Sequence, residues 1–144
     1  MIQVGSDKQL FIDHRFIASS ENVTLGVNPP VKRPGAILRC DKPWEAFGLG
    51  WSCLLEDEGV YKMWYYGTDG DQWAGGKSRL CYAVSQDGLS WEKPNLGLVE
   101  YEGSRDNNIL LEDSRLTYVF IDPRGKPEER YKMVELVRDG GIRV

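Results

Sequence analysis

Asp57-Glu58-Gly59-Val60-Tyr61-Lys62-Met63-Trp64-Tyr65-Tyr66 opens the stretch, residues 56–91, whose reading decides the fold. Asp57-Glu58-Gly59 is a tight turn, since acidic residues tolerate the bend and Gly59 takes a positive φ at no steric cost. Val60-Tyr61-Lys62-Met63-Trp64-Tyr65-Tyr66 is rich in aromatics and free of proline, which predicts a strand. Alternation then sends Tyr61, Met63 and Tyr65 to one face and Lys62, Trp64 and Tyr66 to the other. A polar, glycine-rich loop follows at 67–76. Leu80-Cys81-Tyr82-Ala83-Val84-Ser85 is apolar on both faces and predicts an inner strand. It runs into Ser85-Gln86-Asp87-Gly88-Leu89-Ser90-Trp91, where Asp87 bonds its own backbone, Gly88 supplies a left-handed residue and Trp91 starts a return strand. Three or four consecutive antiparallel strands make one meander sheet.

The unit recurs. Tyr61-Lys62-Met63 reappears as Tyr131-Lys132-Met133, and Leu80-Cys81-Tyr82 has a shortened echo in Ile142-Arg143-Val144. A strand-like run and an acidic turn precede each copy, at 51–59 and 117–130. A repeated meander with a tryptophan-bearing hairpin is the pattern of a β-propeller blade. The expected fold class is therefore all-β: a partial propeller of about two antiparallel blades behind an extended amino-terminal arm. The competing reading is one β-sandwich whose strands share a tripeptide.

Outward from that core, residues 9–12, 15–18 and 23–27 read as short strands of the arm, around the polar pair Asp13-His14. Pro29, Pro30 and Pro34 force a loop at 28–35 by denying ladder donors. Residues 36–39 are strand-like, 41–45 form a second loop, and 47–55 is the first strand of the repeat. Beyond Trp91, residues 96–101 read as the blade's outer strand and 109–111 as a small apolar anchor. The second copy takes 116–121, then 131–137, and begins a third strand at Ile142. The domain reading is an arm with loops over 1–46 and two blades over 47–144, the second incomplete, in one structural domain. Propeller repeats run to roughly 40–50 residues and propellers have at least about four blades. The expectation is thus part of a longer protein, or a half that assembles with the remaining blades or a second copy.

Composition narrows the function classes. Hydrophobic residues at 41% and aromatics at 11% describe a globular chain, and five Trp with seven Tyr exceed what a small core needs, so some should face a ligand or a partner. A net charge of −4 without a basic patch argues against nucleic acid. Cys40, Cys53 and Cys81 lack metal-like spacing and His14 is the single histidine, so free thiols, no metal and no cofactor are expected. With neither a signal-peptide pattern nor a spanning apolar run, the expected location is cytoplasmic, away from membranes.

The Gly59-Val60-Tyr61-Lys62-Met63-Trp64-Tyr65 strand, the Ser85-Gln86-Asp87-Gly88-Leu89-Ser90-Trp91 hairpin and Asp122-Pro123 ahead of Tyr131 together resemble the five-bladed propellers of the glycoside hydrolase superfamily of families 43, 32 and 68. The resemblance runs from residue 47 to the end. It implies carbohydrate as substrate or ligand, and a carboxylate delivered by each innermost strand to a central funnel. One acid protonates the leaving oxygen while another carboxylate attacks or activates water. By position the resemblance makes Asp122 the catalytic carboxylate; the plainer reading is an Asp that initiates a turn before proline. Counting back from Tyr61 by the same interval lands near Trp51-Ser52, where no acid stands, unless Asp41, Glu45 or Asp13 reaches in. The chain alone is thus expected to bind or act on carbohydrate without being catalytically complete; the alternative is a non-catalytic carbohydrate-binding or assembly module. Trp51 and Trp73 are the candidate sugar-stacking residues, with Trp64 and Tyr66 more suited to packing between blades. Asp13 and His14 are candidate substrate contacts, and Asp69-Gly70-Asp71 is a weak calcium-like motif.

Overall fold

A computed structural model describes residues 5–6, 10, 12–71, 76–136 and 141–143, with the side chains of Trp51, Ser52 and Arg115 outside that description. The chain forms two compact units, Met1–Pro34 and Gly35–Val144.

In the first unit the described residues contain bends and turns but no strand. The short strands expected at 15–18 and 23–27, and in the described part of 9–12, do not form. A strand persists only when its backbone groups find a ladder, and the hydrogen bonds of the described residues here are local. The Arg15 amide donates to Asp13 Oδ1 at 2.9 Å and the Ile17 amide to the His14 carbonyl at 3.0 Å. Val27 and Val31 are almost fully exposed.

The second unit is two antiparallel sheets. The first has the order β1 (Gly48–Asp57), β2 (Val60–Thr68), β3 (Ser78–Ser85) and β4 (Ile109–Glu112); the second has β5 (Arg115–Ile121), β6 (Tyr131–Leu136) and β7 (Ile142–Arg143). The all-β class and the consecutive meanders agree with the sequence. Glu58 and Gly59 connect β1 to β2 with φ of 54° and 79°, the two positive values that a two-residue primed hairpin turn requires.

The tripeptide repeat extends to strand register. Glu56 pairs with Tyr61 as Ile121 pairs with Tyr131, and Cys53 with Trp64 as Tyr118 with Val134. Both first strands carry a register shift at the same place, between Gly50 and Cys53 and between Arg115 and Tyr118. Leu80 opposite Tyr66 is matched by Ile142 opposite Leu136. One hairpin pattern has therefore been built twice, with connections of different length.

The outer strand expected at 96–101 is absent; the ladder partner of β3 is β4, the segment read from sequence as a small anchor. Positive φ at Gly97, Glu102 and Gly103 bends the intervening chain, leaving isolated bridges at Val84–Glu92 and Tyr101–Ser104 instead of a return strand. Ile109 is fully buried and fixes β4 on the core face beside Met63, Tyr65, Cys81 and Ala83.

Residues 35–46, grouped by sequence with the arm, pack with the sheets. Trp44 joins the core cluster, and Glu45 is fully buried. Tyr65 Oη donates to Glu45 Oε1 at 2.7 Å, while Lys93 Nζ and the Asp41 amide donate to Oε2 at 2.6 and 3.1 Å. Asn108 Nδ2 donates to Tyr65 Oη at 2.7 Å, and its Oδ1 accepts from Trp44 Nε1 at 3.1 Å. Gly67 allows this approach, because a Cβ there would lie 3.0 Å from the Trp44 carbonyl oxygen and 3.1 Å from Glu45 Cγ. Among the described residues no helix is long and apolar enough to cross a membrane.

Removing one member of a buried ion pair strands its partner's charge. Glu45→Ala is expected to lower unfolding stability by about 3 kcal/mol, and Glu45→Gln by less, in urea titrations followed by tryptophan fluorescence. An unchanged midpoint in Glu45→Ala would refute this role.

Candidate functional site

The two sheets meet through the Trp64 face of the first. Trp64 lies 6.0 Å from Tyr131 between ring centroids, Cys53 Sγ donates to the Val119 carbonyl at 3.1 Å, and Tyr66 Oη lies 2.5 Å from Thr117 Oγ1. Trp64 and Tyr66, considered as sugar contacts, thus serve packing between sheets. Below them, Ser114 Oγ donates to the buried Glu135 at 2.6 Å, and Arg143 pairs with the same carboxylate.

At the hairpin end of this joint stands Asp57. Lys62 Nζ lies 2.8 Å from its Oδ2, and Arg130 and the Tyr131 hydroxyl also bond the carboxylate. Lys62 bonds Tyr131 Oη as well, at 2.5 Å. The hydrogen bonds from Lys62, Tyr131 and Arg130 hold the Asp57 carboxyl far below the ordinary carboxylate range. The register makes Asp57 the counterpart of Asp122: each follows the residue opposite the tyrosine of its Tyr-Lys-Met, and the Asp122 amide donates to the Arg130 carbonyl at 2.7 Å. The first sheet therefore has an acid where the sequence seemed to lack one. Counting back from Tyr61 missed it because two residues separate Asp57 from Val60, whereas seven separate Asp122 from Arg130.

Asp122 itself turns back on its own loop. Its Oδ1 accepts from the Arg124 amide at 2.9 Å and its carbonyl from the Gly125 amide at 3.2 Å. Proline after Asp, and the 3-10 turn Pro127–Glu129, complete this connection. This geometry is that of a turn initiator.

The Ser-x-Asp-Gly hairpin is likewise closed on itself. Asp87 Oδ1 accepts from the Ser90 and Leu89 amides at 2.7 and 2.8 Å and from Ser85 Oγ at 3.0 Å. Those donors bring its carboxyl down to about 2. Trp91 Nε1 donates to the Gly88 carbonyl at 3.3 Å, which fixes the indole.

That indole borders a cleft of about 260 Å³, lined also by Leu38, Arg39, Asp41, Lys42 and Lys93. Lys93 reaches the Arg39 carbonyl at 2.7 Å, Asp41 Oδ1 at 2.6 Å and buried Glu45. The bond from Lys93 lowers the Asp41 carboxyl. A smaller hollow of about 130 Å³ shares Lys42 and Lys93 and adds Asn95 and Asp106. A wider hollow of about 460 Å³ beside Leu49, Met63 and Tyr65 has no charged side chain in its lining. Sequence reasoning placed Trp91 in a hairpin and Asp41 and Glu45 in a loop, and did not single out Arg39, Lys42 or Lys93. Only the fold brings 37–42 against 91–93.

Of the other sequence candidates, Trp73 and the Trp51 side chain lie outside the described residues. Asp13 and His14 are exposed in the first unit. Asp69 is ion-paired with Arg79 at 2.7 Å and accepts the Lys77 amide at 3.1 Å, so both oxygens serve this loop. Among the described residues no group of three or more His, Cys, Asp or Glu is arranged to hold a metal. Compared with family models, curated proteins and solved structures, the chain gives no match.

Because the folded Asp57 titrates below its unfolded value of about 3.9, its contribution is complete above about pH 4 and is lost as pH falls further. Asp57→Asn is expected to be less stable than wild type at pH 7, with the difference narrowing towards pH 2. Denaturation midpoints across that range test this; a difference that does not change with pH would refute it.

Proposed function

We propose that this chain is a carbohydrate-binding portion of a propeller-type β protein of the glycoside-hydrolase kind, which by itself binds sugar without cleaving it. The propeller element draws support from the stacking. The Trp64 face of the first sheet packs on the Tyr131 face of the second, and Tyr131 is the repeat equivalent of Tyr61 on the first sheet's opposite face. Successive sheets thus meet head to tail. The far face of the second sheet carries Leu116, Tyr118 and Ile142, each more than half exposed, with Tyr118 stacked on Phe120 at 6.4 Å. A further antiparallel sheet is the partner that such a face fits, supplied by the remaining blades or by a second copy.

The observation that carries the binding reading is the fixed indole of Trp91 beside a cleft of charged groups. Sugars present C–H faces that pack on aromatic rings and hydroxyls that bond charged side chains, so an anchored indole with polar neighbours suits them. Binding is favoured over hydrolysis because glycosidic cleavage needs a protonated acid near neutral pH. Asp57 is held in the charged form, and Asp122 caps its own turn.

Calorimetry across a panel of oligosaccharides is expected to show saturable binding, weakened about tenfold by Trp91→Phe, with no release of nitrophenol from aryl glycosides. Turnover that disappears in Asp122→Asn would instead put Asp122 in a hydrolytic mechanism. No heat with any sugar would remove the carbohydrate reading.

A further inference from the structure

We infer that the saccharide taken by the Trp91 cleft is anionic, its carboxylate or sulfate held by Arg39 and Lys42; the inference rests on the carbohydrate reading above. The argument begins with which charges are already spent. An ammonium has three donors, and those of Lys93 go to the Arg39 carbonyl, Asp41 and Glu45. Lys93 therefore builds the cleft and has no donor left for a ligand. Its acceptors Asp41 and Glu45 outweigh it by one charge, and Arg39 and Lys42 reverse that balance, leaving a net positive charge of one. This stands out on a chain of net charge −4.

Neither Arg39 nor Lys42 forms an ion pair among the described residues, and the Arg39 side chain is exposed at the cleft. Lys93 fixes the backbone of Arg39 through its carbonyl, so this cation is presented from a tethered position. Lys42 stands between the cleft and the smaller hollow, within reach of either. Lys42 feels the neighbouring Asp41 carboxylate, but a neutral sugar would offer neither Lys42 nor Arg39 an anionic partner of its own. A sugar ring on Trp91 with an acidic substituent towards Arg39 and Lys42 uses all three groups. Guanidinium and ammonium both take carboxylate and sulfate oxygens, so the shared chemistry is an acidic saccharide.

The test is calorimetry on the full chain with three probes at equal chain length: an oligogalacturonate, a sulfated galactan oligosaccharide free of uronate and a neutral galacto-oligosaccharide. At least one acidic probe is expected to bind about tenfold more tightly than the neutral one, and less tightly as salt rises. Arg39→Gln and Lys42→Gln should each reduce acidic binding about three- to tenfold and neutral binding by less, so that the preference for the acidic probe narrows, with the melting temperature unchanged. The uronate and sulfate arms then identify the source of the charge. Equal affinity for acidic and neutral probes, unmoved by either substitution, overturns the inference but leaves carbohydrate binding standing. Absence of binding to every sugar overturns both.

Discussion

Glu45 is a carboxylate with no access to water, and the second unit is arranged so that it never lacks a donor. An ionised group in that position is tolerable only if its oxygens are bonded and its charge is matched. Tyr65 supplies a hydroxyl from the middle of β2, Lys93 supplies the countercharge from beyond the Trp91 hairpin, and Asp41 supplies an amide from the preceding loop. One buried group thereby ties β2 and the segment beyond the Trp91 hairpin to the loop that carries it. Burial raises the Tyr65 hydroxyl far above its usual range, which keeps it a donor. It also pushes the neighbouring Cys81 thiol up to about 12, making it an unreactive core residue. The cleft beside Trp91 exists because Lys93 must come inward to meet Glu45.

The joint between the sheets shows how one position acquires two roles. Asp57 and Asp122 occupy equivalent places in register, yet their connections differ in length. After Asp57 the chain reverses within two residues, leaving the carboxylate at the strand end to meet Lys62, Arg130 and Tyr131. After Asp122 a longer loop with a proline and a 3-10 turn offers a backbone amide close by, and the carboxylate takes it. Arg130 joins the two, with its guanidinium on Asp57 and its carbonyl on the Asp122 amide.

What was legible in the sequence was local. Alternation in 60–66, the Asp57-Glu58-Gly59 turn and the Ser85–Trp91 hairpin each contain their own cause, so they could be read in place. The repeated Tyr-Lys-Met marked two sheets because strand register follows side-chain alternation. The arm's short strands and the segment at 96–101 failed for the opposite reason. Apolar alternation there had no ladder within reach, and a left-handed Gly97, with Glu102 and Gly103 just beyond, bends the second of them away from one. Equivalence of the two aspartates was hidden because residue counts pass through turns of unequal length, whereas register does not. The Arg39, Lys42 and Lys93 cluster has no local signature, since its cause is a buried acid some fifty positions from Lys93 in the chain.

The carboxylates also limit the chemistry. A general acid must keep its proton near neutrality, which requires an environment that disfavours charge. The acids with clear shifts all move the other way. Asp57 is held down by Lys62, Tyr131 and Arg130, Asp87 by the Ser90 and Leu89 amides, and Asp41 by Lys93. At Asp69 burial works against ionisation, but the bonds from Arg79 and the Lys77 amide outweigh it. Each is an anion committed to holding a turn, a joint or a lysine. Those sites organise structure, and what they leave uncommitted near the anchored indole is positive. The acidic-saccharide proposal rests on that indole face and those cations, and none of these four carboxylates is placed to keep the proton that cleaving a glycosidic bond would need.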